Sequence, residues 1–494
     1  MEMSELLQSR LRMLAAATGG RLLVATGCSG SDLLVLALRR LCDYWQTTYG
    51  ADIVIDHVFS VENVDWKRSF IMQHVPPRYL FKDMESMCAD QVRDEITGSW
   101  VSVPVPHLWV CGIECDSVSS CSTLASSNRN CCADGTGATG STSDACCSFV
   151  EKYKPLMICF ENVKRLDSNN EQGVSNKAVI VKKLSDLDYE VCDMVLNAKN
   201  YGSAQRRNRI YVVAMRKLGR SSDVLKIPMR IRSMRIQHPE LSSFLISDTD
   251  AGLRRWIAAR HMKSAEGEGG DITNKKQKKG SEKDNYMADH LEKYAELHID
   301  WPPTFGEELF VQNVGFLPTR QKEIAWLHRQ LVLSQPQEAE TMERCIDINM
   351  SLAWGNEAIG QAPCLICSSA IFMARRCRLL WGVEAMHLQM WPHAATLAVH
   401  SHENLMDLAG NAFCGGCVAA AVTLLLGAKD WTRADLYPVG ATSEMAGLTY
   451  SACSQPISTT VSDDVAAADT QSVSGASCND GDGDILSELS ELSS

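Results

Sequence analysis

Several segments of this 494-residue chain bring together residue types that can do chemistry. Val110-Cys111-Gly112-Ile113-Glu114-Cys115-Asp116-Ser117-Val118-Ser119 carries a cysteine in a loop that follows an apolar run. In its thiolate form such a side chain is both a nucleophile and a metal ligand. The apolar run 156–160 ends in Glu161-Asn162-Val163, which delivers a carboxylate, and Gln205-Arg206-Arg207-Asn208-Arg209 leads a charged loop into the apolar run 210–215. Upstream, the run 22–26 closes on Gly27-Cys28-Ser29-Gly30 and then on Ser31 and Asp32. Glycine lets backbone approach a ligand closely, and a helix N-terminus presents free N–H groups to it. Glu62 and Asp83 end the next two apolar runs, where a carboxylate can accept both hydrogens of a ribose diol and a second can meet an adenine amino group. Taken singly, each acid reads as a surface charge. Three consecutive strand ends with that chemistry favour an adenosine cofactor.

These residues need elements to carry them. Apolar runs at 22–26, 53–61, 79–81, 108–111, 156–160 and 210–215 read as strands, and helical periodicity at 33–41 and 174–187 falls between them. Strands alternating with helices predict an open, mainly parallel α/β sheet, whose ligands bind at the carboxyl edge of the strands. Further helices are predicted at 319–333, led by Pro318, and at 383–390 and 418–426. The dinucleotide fingerprint GxGxxG is missing, which disfavours a nicotinamide-dependent oxidoreductase.

The ordered set of motifs resembles the C5-cytosine DNA methyltransferase family. Residues 110–119 are similar to its Gly-Pro-Pro-Cys-Gln-x-x-Ser nucleophile loop, Glu161-Asn162-Val163 to its Glu-Asn-Val motif, and Gln205-x-Arg207-x-Arg209 to its Gln-x-Arg-x-Arg motif. Glu384 to Pro392 resembles the late helix, and Leu408-Ala409-Gly410-Asn411-Ala412 the closing Gly-Asn motif that returns to the cofactor site. The resemblance implies a doubly wound, Rossmann-like methyltransferase sheet that uses S-adenosylmethionine. It assigns Cys115 as the thiolate that adds to carbon 6 of the base and Glu161 as the carboxyl group on its N3 edge. Arg207 would hold the base and position the nucleophile, with Arg209 beside it. Gly27, Ser29, Gly30, Glu62, Asp83 and Asn411 form the implied cofactor site, and no metal is expected. Because the reacting carbon is stacked within a duplex, the base must be flipped out at a cost of a few kcal/mol. Residues 130–147, with Gly135, Gly137 and Gly140, correspond to the mobile loop that closes over DNA.

The chain departs from the pattern at the nucleophile. Glu114 stands where proline is expected and Asp116 where glutamine is, so two carboxylates flank the thiol and oppose its ionisation. Ser29 replaces a commoner glycine. A noncatalytic nucleic-acid-binding protein of the same fold, or a transfer-RNA cytosine methyltransferase, is the alternative reading.

Composition is that of a globular protein, with 45% hydrophobic and 22% charged residues. The predicted organisation is a catalytic domain at 1–220, a smaller inserted target-recognition region at 221–374 with an exposed loop at 264–284, a return to the catalytic domain at 375–429, and a mostly disordered acidic tail at 430–494. The net charge of −12 is unevenly spread: residues 451–494 hold eight acids and no Lys or Arg, so without them the charge is −4. Ten basic residues between Arg206 and Arg235 face Asp223 alone, a candidate footprint for a phosphate backbone. DNA is the expected partner, RNA less so, with no membrane and a nuclear location, although Lys275-Lys-Gln-Lys-Lys279 reads first as a solvated charge run. The pairs Cys364/Cys367 and Cys414/Cys417 lie too far apart for common zinc modules and are read as small buried side chains.

Overall fold

The computed structural model describes residues 3–119, 128–219, 221–266, 282–334, 342–352, 357–392 and 394–436. Seven strands form the central sheet: β1 (Arg21–Gly27), β2 (Val54–Val61), β3 (Tyr79–Phe81), β4 (Leu108–Gly112), β5 (Met157–Val163), β6 (Tyr189–Asn197) and β7 (Asn208–Arg216), in the spatial order β3-β2-β1-β4-β5-β7-β6. The first five are parallel, and β7 enters antiparallel between β5 and its hairpin partner β6. This is the open, mainly parallel α/β sheet expected from the alternation of strands and helices. Chain order reverses between β1 and β4, so the crevice at their carboxyl ends is the place for a ligand.

Alternation along the strands builds two cores. Leu108 and Val110, Met157 and Cys159, and Tyr211 and Val213 face helices Met3–Thr18, Leu33–Tyr49 and Gly415–Leu426. Trp109 and Cys111, Ile158 and Phe160, and Ile210 and Val212 face helices Gly137–Tyr153 and Asn176–Asp186. A strand buried on both faces must be apolar at every position, which is why these runs were conspicuous in the sequence. The edge strand β6 was not: Glu190 and Asp193 interrupt it, and its pairing with β7 rather than its own composition makes it a strand.

Residues 130–147, expected to be a mobile loop, are instead largely helical. Within Gly137–Tyr153 the residues Ser143, Cys146, Cys147 and Val150 recur at helical spacing and are buried. Phe149 packs on Trp109, with ring centroids 4.6 Å apart. A Cβ at Gly140 would lie 2.3 Å from the Cys131 carbonyl oxygen, so this glycine serves close packing and not hinging.

A four-stranded antiparallel sheet lies within 344–379, with helices Ala251–Ala265, Glu308–Val314 and Thr319–Leu333 in the same part of the chain. The chain returns through Gly382–Leu388, His402–Asn411 and Gly415–Leu426. The stretch His402–Leu426 is apolar enough to cross a membrane, yet 94% of its most apolar window is buried in the protein. Most of the expected exposed loop, 267–281 with Lys275–Lys279, and most of the expected tail, 437–494, fall outside the described residues. Residues 430–436 pack: Arg10 pairs with Asp430 at 2.8 Å, and Lys429 with the buried Asp435 at 2.8 Å.

Candidate active site

Sheet register brings the nucleophile loop and its neighbours together. Gly112, the last residue of β4, lies opposite Glu161 on β5, and Val163 lies opposite Arg209 on β7. Glu161 and Val163 share a face because side chains alternate, so Arg209 stands diagonally across from Glu161 within reach of a long side chain. Its Nε lies 3.3 Å from Glu161 Oε1. Asn162, on the other face, donates from Nδ2 to the Ile113 carbonyl at 2.8 Å and ties the strand end to the loop that carries Cys115.

The Cys115 thiol is half-buried and is pushed up to about 12, first by burial and then by Glu114 and Glu161, with Arg209 opposing. Glu114 itself is raised by burial and by Asp116. Its Oε1 accepts the N–H groups of Cys115 at 3.1 Å and Asp116 at 3.3 Å, so the carboxylate fastens the loop backbone where proline would have stiffened it. Glu161 is 7% exposed, and burial raises its pKa against the pull of Arg209 and Arg207.

Arg207 does something other than the motif suggested. It is 2% exposed, and its guanidinium donates to the carbonyls of Leu365 at 2.8 Å, Gly410 at 2.9 Å and Ala412 at 2.9 Å. Both terminal nitrogens thus clamp the later chain onto the sheet, and Arg209 is the arginine beside Cys115 and Glu161. The late motifs converge on the same anchor. Gln389 donates to Gln205 Oε1 at 3.3 Å and to the Ala409 carbonyl at 2.9 Å. A Cβ at Gly410 would sit 2.2 Å from the Cys367 nitrogen.

The expected cofactor residues line the carboxyl ends of β1 to β3, with unequal parts. Glu62 is buried, and its two carboxylate oxygens accept Gly30 N–H at 2.9 Å and Val64 N–H at 3.0 Å, which fixes the acid while leaving further lone pairs. Gly30 has φ +57, and nothing lies within 4 Å of where its Cβ would be, an open cradle in a left-handed turn. Gly27 is glycine for another reason: a Cβ there would be 2.5 Å from Cη2 of Trp109. Ser29 is buried, with Oγ on Thr26 Oγ1 at 2.7 Å and on the Val61 backbone. Asp83 caps the turn Glu85–Cys88 by accepting Ser86 N–H at 2.7 Å. Beneath the turn, Asp32 sits at φ +56, accepting Thr26 Oγ1 at 2.6 Å and Ser60 Oγ at 2.5 Å, and burial raises its pKa to about 7. Asn411 is exposed at the far rim, holding Asp407 and accepting the Cys367 thiol at 3.0 Å.

Sequence reasoning missed Lys67. This buried amine pairs with Asp407 at 3.0 Å; burial opposes its charge, but Asp407 and Glu62 outweigh burial and raise its pKa. It joins the β2 end to the closing helix and has no sequence signal beyond a lysine on an amphipathic helix. Cys364 was also underrated. Its thiol is 3.7 Å from Arg209 Nη1, and although burial opposes ionisation, Arg209 and Arg207 lower its pKa. The other cysteine pair, Cys414 and Cys417, is buried in the core as expected. The basic stretch 206–235 is partly consumed by the fold: Arg207 and Arg209 point inward, and Arg10, Lys226 and Arg230 surround Asp223 and hold its carboxyl well below the usual range. Arg206, Arg232 and Arg235 remain exposed.

Residues 128–417 match the family described as C-5 cytosine-specific DNA methylase. The chain belongs to this family. It is 23% identical over 434 residues to DNA (cytosine-5-)-methyltransferase DMT5 of Cryptococcus neoformans var. grubii, a match covering 83% of this chain and 17% of the relative. It is also 23% identical over 481 residues to the protein of that name from Verticillium dahliae, covering 84% of this chain and 20% of the relative. The chain therefore spans about a fifth of the length of these relatives. A shorter match to type II methyltransferase M.HhaI of Haemophilus parahaemolyticus is 38% identical over 68 residues, 14% of this chain and 20% of the enzyme. Among solved structures, S. pombe Dnmt2 methyltransferase aligns over 82% of this chain and 98% of its own at 11% identity, with a TM-score of 0.42.

Proposed function

We propose that this chain transfers a methyl group from S-adenosylmethionine to carbon 5 of cytosine in DNA. The observation that carries the reading is the meeting of Cys115, a buried Glu161 and Arg209 at the carboxyl edge of β4, β5 and β7. Family membership and the DNA methyltransferase names of its relatives favour this chemistry and this substrate.

The residues around β1 and β2 fit the cofactor. The open cradle at Gly30 admits close approach, the fixed carboxylate of Glu62 suits a ribose diol, and Lys67 offers a cation to an amino-acid carboxylate. When bound, S-adenosylmethionine supplies an electrophilic methyl group. The protein's part is to make carbon 5 nucleophilic. The Cys115 proton leaves to water, its sulfur bonds carbon 6, and the ring's electrons shift towards carbon 5. Glu161, its pKa raised by burial, would donate a proton to N3 as negative charge develops there, and Arg209 keeps that acid oriented. After methylation water takes the carbon 5 proton, the carbon–sulfur bond breaks and Glu161 regains its proton. Residues 221–374, with exposed Arg232 and Arg235, are assigned to contact with the duplex, and a nuclear location accompanies a DNA substrate.

A second reading, a nucleic-acid-binding protein without turnover, is favoured by one observation: the Cys115 thiol is pushed up to about 12. Duplex DNA carrying 5-fluorocytosine separates the two. With S-adenosylmethionine present, a denaturation-stable adduct that disappears in Cys115→Ser is expected. Absence of both adduct and methyl incorporation, with DNA still bound, would establish the second reading, and adduct formation on transfer RNA alone would move the substrate to RNA.

A further inference from the structure

A cavity of about 340 Å³ lies at the seam between helix Ala251–Ala265 and the start of helix His402–Asn411, and none of its lining residues belongs to the methyl-transfer site. One face of the first helix builds a wall. Gly252, Arg255, Trp256, Ala259, Arg260 and Lys263 follow the i, i+3, i+4, i+7, i+8, i+11 pattern that puts side chains in one stripe. The two small residues leave room, and the three cations and the indole line it. Across the gap stand Trp381 and His402, 6% and 4% exposed. The His402 ring stacks on Trp256 at 4.5 Å between centroids, and its Nδ1 accepts Gly382 N–H at 3.1 Å, so its proton is on Nε2 and available to a ligand. Trp256 Nε1 is buried without a hydrogen-bond partner among the described residues. Such a donor costs free energy until something accepts from it.

The charge of the cavity limits what it takes. Arg255, Arg260 and Lys263 face one acid, Glu403, which is ion-paired with Arg260. Burial, reinforced at His402 by Arg260, keeps His400 and His402 neutral. The balance is two positive charges beside two indoles. A phosphomonoester carries close to two negative charges at pH 7, whereas a phosphodiester carries one. The volume is at the small end of ligand sites, which span roughly 300–1,000 Å³, and suits one nucleotide unit rather than two.

We infer that this cavity binds the phosphomonoester of a single nucleoside, its phosphate on Arg255 and Lys263 and its base against the tryptophans, either as a free mononucleotide or as the phosphorylated end of a strand. The closing helix connects it to the reaction site. His402 begins that helix; at 1.5 Å per residue the Asp407 that pairs with Lys67 lies about 7.5 Å along it, and the Asn411 that accepts from Cys367, at its far end, about 13.5 Å.

The test does not depend on methyl transfer. AMP, adenosine, a 5′-phosphorylated trinucleotide and its unphosphorylated form are titrated by calorimetry and tryptophan fluorescence in saturating S-adenosylmethionine. AMP should bind and quench, adenosine should bind at least tenfold more weakly, and Arg255→Gln with Lys263→Gln should weaken AMP at least tenfold. Both side chains are exposed, so the melting temperature should hold. A trinucleotide that gains affinity from its phosphate and exceeds AMP identifies a strand end as the ligand; AMP exceeding it identifies a free nucleotide. The inference fails if AMP does not bind below 1 mM with S-adenosylmethionine saturating, if adenosine binds equally well, or if the double variant keeps full affinity.

Discussion

Replacing Glu114 with glutamine isolates the charge beside the nucleophile. The amide oxygen can still accept the N–H groups of Cys115 and Asp116, so the loop keeps its hydrogen bonds while the negative charge is removed. The ligand atoms of Glu114, Cys115 and Asp116 lie within 4.8 Å of one another. Two unit charges at that separation repel by about 3 kcal/mol at an effective dielectric constant of 20, and by half that at 40. At about 1.4 kcal/mol per unit, the Cys115 thiol should fall by about 1–2 units. A weaker base is also a weaker nucleophile, with a Brønsted slope of about 0.4–0.5, so roughly half of that gain reaches the alkylation rate. Iodoacetamide labelling of Cys115, read by peptide mass spectrometry from pH 7 to 9.5, should give a log rate rising with unit slope in both proteins. The variant's line should lie about 3- to 15-fold higher. Superimposed lines, or a wild-type plateau below pH 9, would show that the carboxylate does not hold the proton on and would refute the argument.

Other substitutions separate anchoring from chemistry. Arg207→Ala strands three buried carbonyls and should cost about 3–5 kcal/mol in denaturant unfolding, whereas Arg209→Gln, measured on protein that the same unfolding curve shows to be folded, should abolish adduct formation. Gly410→Ala forces a methyl group into the Ile366–Cys367 backbone and should lower stability by about 2 kcal/mol or more, measured the same way. Burial raises Asp32 to about 7 from an unfolded value near 3.8, so in the folded state it stays protonated while the unfolded chain ionises. Its contribution is present below pH 4 and is lost as pH rises to about 7. The stability difference between wild type and Asp32→Asn should therefore shift against wild type by up to roughly 4 kcal/mol between pH 4 and 7 and stay level above; a difference independent of pH would show Asp32 to be ionised throughout.

The sequence by itself determined the sheet and the inventory of reactive groups. Runs such as 108–111 and 156–160 are apolar at every position because both faces of those strands are covered, and the residues that end them, Glu161 and Glu62 among them, stand at the carboxyl edge for that reason alone. What each group does there was decided by tertiary structure. Arg207 and Arg209 are two apart and would share a face on a regular strand. Arg207 lies just before β7 in a tight turn, its N–H bonded to the Gln205 carbonyl, and this breaks the alternation and sends its guanidinium to carbonyls some 158 to 205 residues away in sequence. The Ser-, Thr- and Gly-rich stretch 137–153 has poor helix propensity and is a helix because Cys146, Phe149 and Val150 find Trp109 and its neighbours to bury against. Lys67, Cys364 and the Trp256 cavity had no local pattern to betray them. Each acquires its meaning from a partner supplied by a distant segment, Asp407, Arg209 and His402 respectively, and only the packed chain brings those partners within reach.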